Sequence, residues 1–257
     1  MLILRNYSMI DDQSVLAIVP ARGGSKGLPG KNKRRLRGKP LVAWPIGVAL
    51  GAVSVDKTIC TTDDPEIRDI ALSYGAHAPF LRPAHLASDT ATSIDAILHA
   101  VDYLAENGEQ YDYVVVLEPT SPLTTSSDVE TALAMLRARR DAADSIVGIS
   151  RVESTHPEYD VRLGKDGLIS PFMASNFKSL KRRQEIEALH FLEGSLYITV
   201  TTALRVNRSF CHDRTLGYEV PRWKSVEIDE LVDFLFVETL LGNLDQLAAD
   251  GALAYNL

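Results

Sequence analysis

Apolar residues in the first 150 positions occur in short continuous runs, which alternate with longer segments of helical periodicity. Continuous apolar runs are typical of strands buried on both faces, and their alternation with helices is typical of a parallel sheet with right-handed crossovers. The pattern therefore predicts a three-layer α/β core with its ligand site at the carboxyl ends of the strands. The predicted strands are 15–19, 57–61, 78–81, 112–117, 145–149 and 194–200, and the predicted helices are 41–53, 65–74, 92–105, 127–139 and 229–248.

The alternation breaks after Arg151 and returns with the strand predicted at 194–200. Between them, residues 154–193 contain the turn sequence GKDG at 164–167, a hairpin-like apolar piece and a basic cluster at 178–183. An insertion of this length usually has a role, such as a lid or a subunit contact. We therefore expect one domain over residues 15–257 that carries this insertion, preceded by a flexible N-terminal segment at 1–14.

Composition narrows the class of protein. The 257 residues are 46% hydrophobic, and the two cysteines lie outside any CxxC or Cys/His cluster, which argues against a zinc site or a disulfide framework. A net charge of −7 disfavours nucleic-acid binding, and the basic run at 31–39 is short and lacks aromatic residues. No apolar run approaches the roughly 20 residues that cross a bilayer, and the N-terminus does not resemble a signal peptide. We expect a soluble cytoplasmic protein.

A glycine-rich segment follows the first predicted strand. Residues 20–32 read PARGGSKGLPGKN and include four glycines. Glycines allow close backbone approach, so successive N–H groups can form an anion-binding nest, to which Arg22, Lys26 and Lys31 add positive charge. The spacing matches neither Walker A nor GxGxxG. Its place after a buried strand favours a triphosphate site over the alternative, a solvated basic loop.

Four further segments occur along the chain, namely RPAHLASD at 82–89, EPTSPL at 118–123, RRQ at 182–184 and EID at 227–229. Together with IVPARGGSKGLPGKN at 18–32, they resemble the acylneuraminate (CMP-sialic acid) cytidylyltransferase family over about residues 15–235. The resemblance implies a Rossmann-like nucleotidyltransferase fold and a reaction of CTP with an acidic 2-keto sugar that yields a CMP-sugar and pyrophosphate. It also implies Mg²⁺ as cofactor and a homodimer formed through the insertion, where the alternative is a disordered surface loop.

The resemblance also implies roles for the residues at matching positions. The residues expected around the nucleotide are Ala21, Arg22, Gly23, Gly24, Ser25, Asn32, Arg82 and Ser93. Those expected around the acceptor sugar are Glu118, Thr120, Ser121, Thr124, Tyr159, Arg183 and Gln184. Catalytic roles are expected for Arg22, Lys31 and Asp229. The alternatives are an ordinary surface arginine at Arg82 and a helix cap at Asp89.

Glu227 and Asp229 are the candidate metal ligands. Their i, i+2 spacing puts both carboxylates on one side of an extended segment that enters the last predicted helix. Carboxylates that share an octahedron with triphosphate oxygens and water suit Mg²⁺. The resembled family usually has aspartate at both positions, so Glu227 is a departure. The alternative is a capping pair, with Asp229 as the N-cap and Asp233 as an ordinary surface charge.

Three positions near the expected acceptor depart from the sialic acid members of that family. Those members typically read QPTSPLR where this chain reads EPTSPLT, so Glu118 replaces glutamine and Thr124 replaces arginine. Tyr159 replaces a lysine found in some members. A pocket with these changes recognises an anionic N-acetylated sialic acid less well, because a buried unpaired carboxylate is costly. We therefore expect a different acceptor, such as a deoxy-diamino nonulosonic acid of the legionaminic type.

Two other interpretations of function stay open at the level of sequence. One keeps the fold but changes the substrates to KDO, or to a sugar 1-phosphate with another nucleotide. The other is a nucleotide-binding module without catalysis, against which the acidic pair argues because binding alone needs no such carboxylates. No GxSxG or HExxH pattern indicates nucleophilic or zinc chemistry, and no side chain stands out as a general base.

Overall fold

The computed structural model describes residues 13–25, 27–88, 90–153 and 155–249, without the side chains of residues 183, 248 and 249. The expected flexible N-terminal segment, with the exception of residues 13 and 14, lies outside the described residues, as do Lys26 and Asp89. Within the described part, a central sheet is covered by helices on both faces, so the predicted three-layer α/β fold is confirmed.

The strands, in chain order, are β1 (Val15–Pro20), β2 (Arg35–Leu36), β3 (Lys39–Pro40), β4 (Lys57–Thr61), β5 (Tyr113–Leu117), β6 (Ser145–Arg151), β7 (Val161–Leu163), β8 (Ile169–Pro171), β9 (His190–Val200) and β10 (Thr215–Glu219). The helices are α1 (Ala43–Gly51), α2 (Pro65–Ser73), α3 (Ser93–Glu106), α4 (Ser126–Ala138), α5 (Thr201–Asn207), α6 (Leu231–Gly242) and α7 (Leu244–Ala249).

Six strands form the central sheet in the order β10-β6-β9-β5-β1-β4. Neighbours pair in parallel except at β9, which is antiparallel to both β5 and β6. The sheet is therefore mainly parallel, as predicted. Because β9 runs the opposite way, its first residues lie at the same edge as the last residues of the other five strands, and this edge is the one expected to hold a ligand.

Both faces of the sheet are covered by apolar side chains. All of β5 and residues 15–19 of β1 are buried. On one face these strands pack against α1 and α4, through residues such as Ala49 and Leu133. On the other face they pack against α3 and α5, through residues such as Ile97 and Leu204. Burial on both sides explains why these strands have continuous apolar sequences without alternation.

Some elements differ from the prediction. The strand predicted at 78–81 is wrong, since the described backbone there has only an isolated bridge between Ile59 and His77. Strand β10 was not predicted, because it lies at the sheet edge and only Tyr218 of its residues is buried. The last predicted helix is divided into α6 and α7 at Asn243, and it begins after Asp229 instead of at it.

The insertion is shorter than predicted at its end, because residues 190–193 belong to β9. Its hairpin of β7 and β8 surrounds the predicted turn at 164–167 and is almost wholly exposed. None of the helices in the described residues has the length and apolar character needed to cross a membrane.

Candidate active site

The candidate active site lies at the edge of the sheet where the parallel strands β1, β4 and β5 end. The glycine-rich loop, residues 21–32, follows β1, and Glu118 directly follows β5. The antiparallel β9 begins at this edge and brings Glu193 to it. The acidic segment, residues 225–229, lies between β10 and α6 and completes the site. Four segments that are distant in sequence thus meet where the fold predicts a ligand.

The glycine-rich loop and the acidic segment are in direct contact. The Lys31 ammonium group donates to the carbonyl oxygen of Ile228 (2.8 Å) and forms an ion pair with Asp229 (3.0 Å). Gly27 permits this approach, because a Cβ atom there would lie 2.5 Å from the carbonyl oxygen of Asp229. Cations and a carboxylate therefore share one site, which is the arrangement that a metal-bound triphosphate needs.

Side chains already bind two backbone groups of the loop. The Asn32 amide donates to the carbonyl oxygen of Arg22 (2.9 Å), and the Gly23 N–H donates to Asp63 (2.9 Å). In this conformation Asp63 occupies the Gly23 N–H, so the expected role of this donor in an anion nest stays a prediction. Within the described loop, Gly30 is the one glycine with positive φ (65°). The other predicted loop residues are Ala21 (buried), Gly24 (exposed) and Ser25 (half-buried).

Arg82 is buried at this edge and is not an ordinary surface arginine. Only 7% of the residue is exposed, and its guanidinium donates to the hydroxyl (3.1 Å) and the carbonyl oxygen of Thr61, the last residue of β4. Burial lowers the pKa of Arg82, while the nearby carboxylates of Asp63 and Glu118 oppose this shift. Arg82 thus lies beside the glycine-rich loop, whereas Ser93 is the exposed first residue of α3.

Glutamates at the strand ends have perturbed acidities. Burial, with the charge of Glu227 as the next contribution, raises the pKa of Glu118 to about 7. Burial is also the main reason why the pKa of Glu193 rises to about 7, and the charge of Glu227 again adds to the shift. Desolvated acids gathered at one ligand-binding edge are characteristic of functional sites.

Glu193 was missed by the sequence analysis, which assigned it to the insertion. It is only 1% exposed, and its carboxylate accepts a hydrogen bond from the Ser195 hydroxyl. Gly148 of β6 provides the space, because a Cβ atom there would lie 1.7 Å from a carboxylate oxygen of Glu193. The one available signal was an acidic residue within the strand sequence FLEGSLYITV.

The turn after β5 is attached to the acidic segment by its backbone. The Ile228 N–H donates to the carbonyl oxygen of Thr120 (2.8 Å). Ser121 is buried, and its hydroxyl has no hydrogen-bond partner within the described residues. The Thr124 hydroxyl donates to the carbonyl oxygen of Ser121 (3.0 Å), so it stabilises the turn itself. The Thr124 hydroxyl donates within the turn in this conformation, and its expected contact with the sugar stays a prediction.

The predicted acceptor residues of the insertion are not linked to the strand ends by the hydrogen bond described next. The Tyr159 hydroxyl donates to the carbonyl oxygen of Lys181 (3.2 Å), which belongs to the insertion as well. Gln184 is exposed, and the side chain of Arg183 lies outside the described part of the structure. These contacts do not bring the insertion residues to the strand ends, so their expected roles stay predictions.

The carboxylates of the acidic segment fit a divalent cation that is shared with phosphates. Glu227 accepts a hydrogen bond from the Gly194 N–H (2.7 Å), and Asp229 is bound by Lys31 while its side chain is 71% exposed. The described residues contain no group of three or more His, Cys, Asp or Glu side chains that could hold a metal alone. A Mg²⁺ ion held by one or two carboxylates takes its other ligands from phosphates and water, so this donor pair suits it.

The capping alternative for Asp229 is wrong. The N-cap of α6 is Glu230, and Asp233 is the capping acceptor, since it accepts from the backbone N–H groups of Asp229 (3.0 Å) and Glu230 (2.8 Å). The side chain of Asp229 takes no part in this cap and faces Lys31 instead.

Known proteins resemble this chain over most of its length. The chain is 31% identical over 229 residues to the CMP-N,N'-diacetyllegionaminic acid synthase of Legionella pneumophila, covering 88% of this chain and 96% of that protein. It is 30% identical over 229 residues to the pseudaminic acid cytidylyltransferase of Campylobacter jejuni, covering 88% and 95%. It is 31% identical to the N-acylneuraminate cytidylyltransferase of Escherichia coli O18:K1:H7, of which it spans about half (52%).

Solved structures share the fold. A CMP:2-keto-3-deoxy-manno-octonic acid synthetase complexed with CTP has a TM-score of 0.66 and 18% identity, covering 90% of this chain and 99% of that chain. A 4-diphosphocytidyl-2C-methyl-D-erythritol synthase from Anaerococcus prevotii has a TM-score of 0.62 and 12% identity, covering 91% and 98%. A family model described as "Cytidylyltransferase" matches residues 16–214. Taken with the site at the strand ends, these matches confirm the predicted resemblance, and the chain belongs to the cytidylyltransferase family of nucleotidyltransferases.

Proposed function

We propose that this protein transfers CMP from CTP to an acidic nine-carbon 2-keto sugar and releases pyrophosphate. The observation that carries the proposal is the contact of Lys31 with Asp229, which joins the glycine-rich loop to the acidic segment in a chain of this family. Relatives of similar length support the sugar class, because they include a CMP-N,N'-diacetyllegionaminic acid synthase and a pseudaminic acid cytidylyltransferase. Because CTP is a nucleotide of the cytoplasm, we place the reaction there.

In the proposed reaction, the anomeric hydroxyl of the sugar attacks the α-phosphorus of CTP in line. A new P–O bond forms to the sugar, the bond from the α-phosphorus to the bridging oxygen breaks, pyrophosphate leaves with that bonding pair, and the hydroxyl proton passes to solvent water. Such a displacement needs positioning and charge neutralisation more than covalent catalysis. Arg22 and Lys31 lie in the loop where they stabilise negative charge on the departing pyrophosphate.

Enzymes of this family generally use a divalent metal. We assign Mg²⁺ to the acidic segment, where Glu227 and Asp229 would hold it together with phosphate oxygens. When bound, such an ion neutralises phosphate charge and lowers the pKa of the attacking hydroxyl. Lys31 would then leave its ion pair with Asp229 and bind the phosphates, because it already lies between the loop and the acidic segment.

Pyrophosphate release is the direct test of the reaction. Purified protein is incubated with Mg²⁺, one of CTP, GTP or UTP, and one acidic sugar at a time. The sugars are N,N'-diacetyllegionaminic acid, pseudaminic acid, N-acetylneuraminic acid and KDO. We expect release with CTP and a nine-carbon sugar. A preference for KDO or for another nucleotide would replace the proposed substrates, and CTP binding without release on any acceptor would indicate a binding module.

The acceptor is proposed to be of the diamino nonulosonic type. Glu118 occupies the position where sialic acid enzymes of the resembled family have glutamine. The charges of Arg82, Lys31 and Glu227 all act on its carboxyl group. Both N-acetylneuraminic acid and N,N'-diacetyllegionaminic acid carry a carboxylate, but the second has one more acetamido group, whose N–H can donate to a carboxyl group at this position. Comparison of kcat/KM across the same sugars tests this, and a clear preference for N-acetylneuraminic acid would contradict it.

A homodimer formed through the insertion is proposed as well. The hairpin and the residues on either side of it expose large apolar side chains, which are Tyr159, Val161, Leu163, Leu168, Ile169, Phe172, Met173 and Phe177. Many exposed large apolar side chains within one short segment are typical of protein–protein contacts. Light scattering should give twice the 28.2 kDa of one chain.

Substitutions locate the dimer contact. We expect Leu168→Lys to shift the mass to that of a monomer, while Val206→Lys, at a residue that is 82% exposed on α5, leaves the dimer intact. A monomeric wild type would contradict the proposed dimer. A dimer that tolerates Leu168→Lys would place the contact elsewhere.

A further inference from the structure

A buried ion pair lies just before the acidic segment and has no part in the reaction described above. The Lys224 ammonium group is 2.9 Å and 2.7 Å from the two carboxylate oxygens of Asp128, although 96 residues separate them in the chain. The two side chains are only 6% and 4% exposed. A fully enclosed pair of charges at this point requires an explanation, because desolvation of both groups is costly.

Asp128 has hydrogen bonds from three separate elements. Besides Lys224, it accepts from the Tyr218 hydroxyl of β10 (2.9 Å). It also accepts from the N–H (2.7 Å) and the hydroxyl (2.6 Å) of Thr125, the N-cap of α4. Burial tends to raise the pKa of Asp128, but the hydrogen bonds from Lys224 and Thr125 outweigh it, so the pKa is lowered. The carboxylate is therefore charged and fully bound.

The pair is attached to the site on both of its sides. Asp128 lies in the first turn of α4, directly after the turn that contains Thr120. Lys224 lies three residues before Glu227. Downstream of Glu227, the Ile228 N–H is bonded to Thr120 (2.8 Å). The acidic segment is thus held at one end by the buried pair and at the other end by backbone contacts.

Stability alone does not account for this choice of residues. A buried ion pair is often no more stabilising than apolar side chains of the same size, whereas its geometry is more specific. We propose that Asp128 and Lys224 are positioning residues, which hold the acidic segment in register with the glycine-rich loop so that Glu227 and Asp229 meet the phosphates. The catalytic consequence rests on the proposed function, but the structural consequence can be measured without it.

A charge-neutral double variant separates positioning from packing. Lys224→Met with Asp128→Asn keeps the length of the side chains and the capping acceptor of α4, but it removes both charges. We expect its Tm to stay within about 5 °C of the wild type, whereas Lys224→Met alone, which leaves Asp128 buried and unpaired, lowers the Tm by about 10 °C. The double variant therefore keeps the fold while the acidic segment loses its upstream attachment.

Two measurements follow the acidic segment directly. Hydrogen exchange of the Ile228 and Gly194 amides, both bonded at the segment, is expected to become about ten-fold faster in the double variant of the free protein. Binding of Mn²⁺ in the presence of CTP, followed by electron paramagnetic resonance without acceptor, is expected to weaken about ten-fold. The matched control is Lys57→Met with Glu109→Gln, which neutralises an ion pair at the opposite edge of the sheet and should change neither quantity.

The outcomes separate the inference from the proposed function. Unchanged exchange and unchanged Mn²⁺ binding in the double variant would overturn the inference, even if the wild type releases pyrophosphate. Faster exchange in the double variant, with no pyrophosphate release by the wild type, would support positioning and reject the proposed function. If the double variant does not fold, Tyr218→Phe removes one hydrogen bond to Asp128. It is expected to speed exchange of the Ile228 amide about three-fold, and an unchanged rate would overturn the inference.

Discussion

Asp144 at the amino edge of the central sheet, and Glu118 and Glu193 at its carboxyl edge, have pKa values that are shifted in opposite directions. At the amino edge, hydrogen bonds from Arg214 and Arg140 lower the pKa of Asp144 to about 2. At the carboxyl edge, burial raises the pKa of both Glu118 and Glu193 to about 7. The strands and the helices between them are shared, so the difference comes from the side chains that surround each carboxylate.

The difference separates carboxylates that stabilise the fold from carboxyl groups that can react with or bind a ligand. A carboxylate paired with arginine contributes to folding, whereas a desolvated carboxylate without a sufficient counterion costs stability and stays available for a ligand. The amino edge of the sheet also contains the ion pair of Lys57 and Glu109. We therefore expect ligand chemistry at the carboxyl edge and structural ion pairs at the amino edge.

The largest effect is expected at the carboxyl edge. Asp229→Ala and Arg22→Ala should each reduce kcat at least about 10²-fold, since each removes a group that stabilises phosphate charge. Asp229 is 71% exposed at its side chain, so its substitution should leave the Tm nearly unchanged. Pyrophosphate release measures the rate, and Asp144→Asn at the other edge is the control. Near-normal turnover in both variants would contradict the placement of the active site at this edge.

Glu193 should make the protein less stable as the pH rises. Its pKa of about 7 exceeds the usual 4.5, so between pH 4.5 and 7 the folded state keeps a proton that the unfolded state releases. Stability contributed by this group is complete below that window and falls by up to about 3 kcal/mol through it. Glu193→Gln should therefore be more stable than wild type at pH 8 but not at pH 4.5.

Urea unfolding at the two pH values measures this difference. The exposed Glu187→Gln is the control, and it should show no pH-dependent difference from wild type. If both variants changed the free energy of unfolding equally at pH 8, the loss of stability would not come from the Glu193 carboxyl group.

Asp144 should affect the free energy of unfolding in the opposite direction with pH, and by a smaller amount. Its pKa of about 2 lies below the usual 3.8, so its contribution is present above pH 3.8 and disappears as the pH falls through 2. Because the two arginines are partly exposed and solvent screens these pairs, Asp144→Asn should cost about 1 kcal/mol of unfolding free energy at pH 7. Thermal or urea unfolding measures the loss, and kcat should be unchanged. A fall in kcat comparable to that of Asp229→Ala would abolish the contrast between the edges.

The smallest effect concerns the choice of sugar. Glu118→Gln restores the amide that sialic acid enzymes of the resembled family have, and it removes a half-buried carboxyl group from the site. We expect the ratio of kcat/KM for N-acetylneuraminic acid to that for N,N'-diacetyllegionaminic acid to rise about ten-fold, with the KM for CTP little changed. An equal change for all sugars would assign Glu118 to the nucleotide instead.

Local sequence pattern was sufficient for most of the fold. The prediction of a strand at 57–61 coincides with β4, and that at 112–117 differs from β5 by one residue. These strands are buried on both faces, so their continuous apolar character is visible without any tertiary information. The strand predicted at 78–81 failed, and β10 was missed, because a single bridge and an exposed edge strand produce no such run.

The site was predicted in part. The sequence indicated Lys31, Asp229 and Arg82, since charged residues after buried strands and before a helix stand out in the pattern and in the family resemblance. It missed Glu193, and it considered Asp233 only in the capping alternative, as an ordinary surface charge. The role of each of these depends on which strand it adjoins and which N–H groups face it.

The chain's own sequence thus determined the layered architecture, the loop that follows β1 and the family to which the protein belongs, because these depend on hydrophobic periodicity and on short contiguous motifs. Only the tertiary structure decided which charges are paired and which are left desolvated. The reason is physical, since the pKa of a carboxyl group depends on burial and on partners such as Lys224 for Asp128, 96 residues away in the chain.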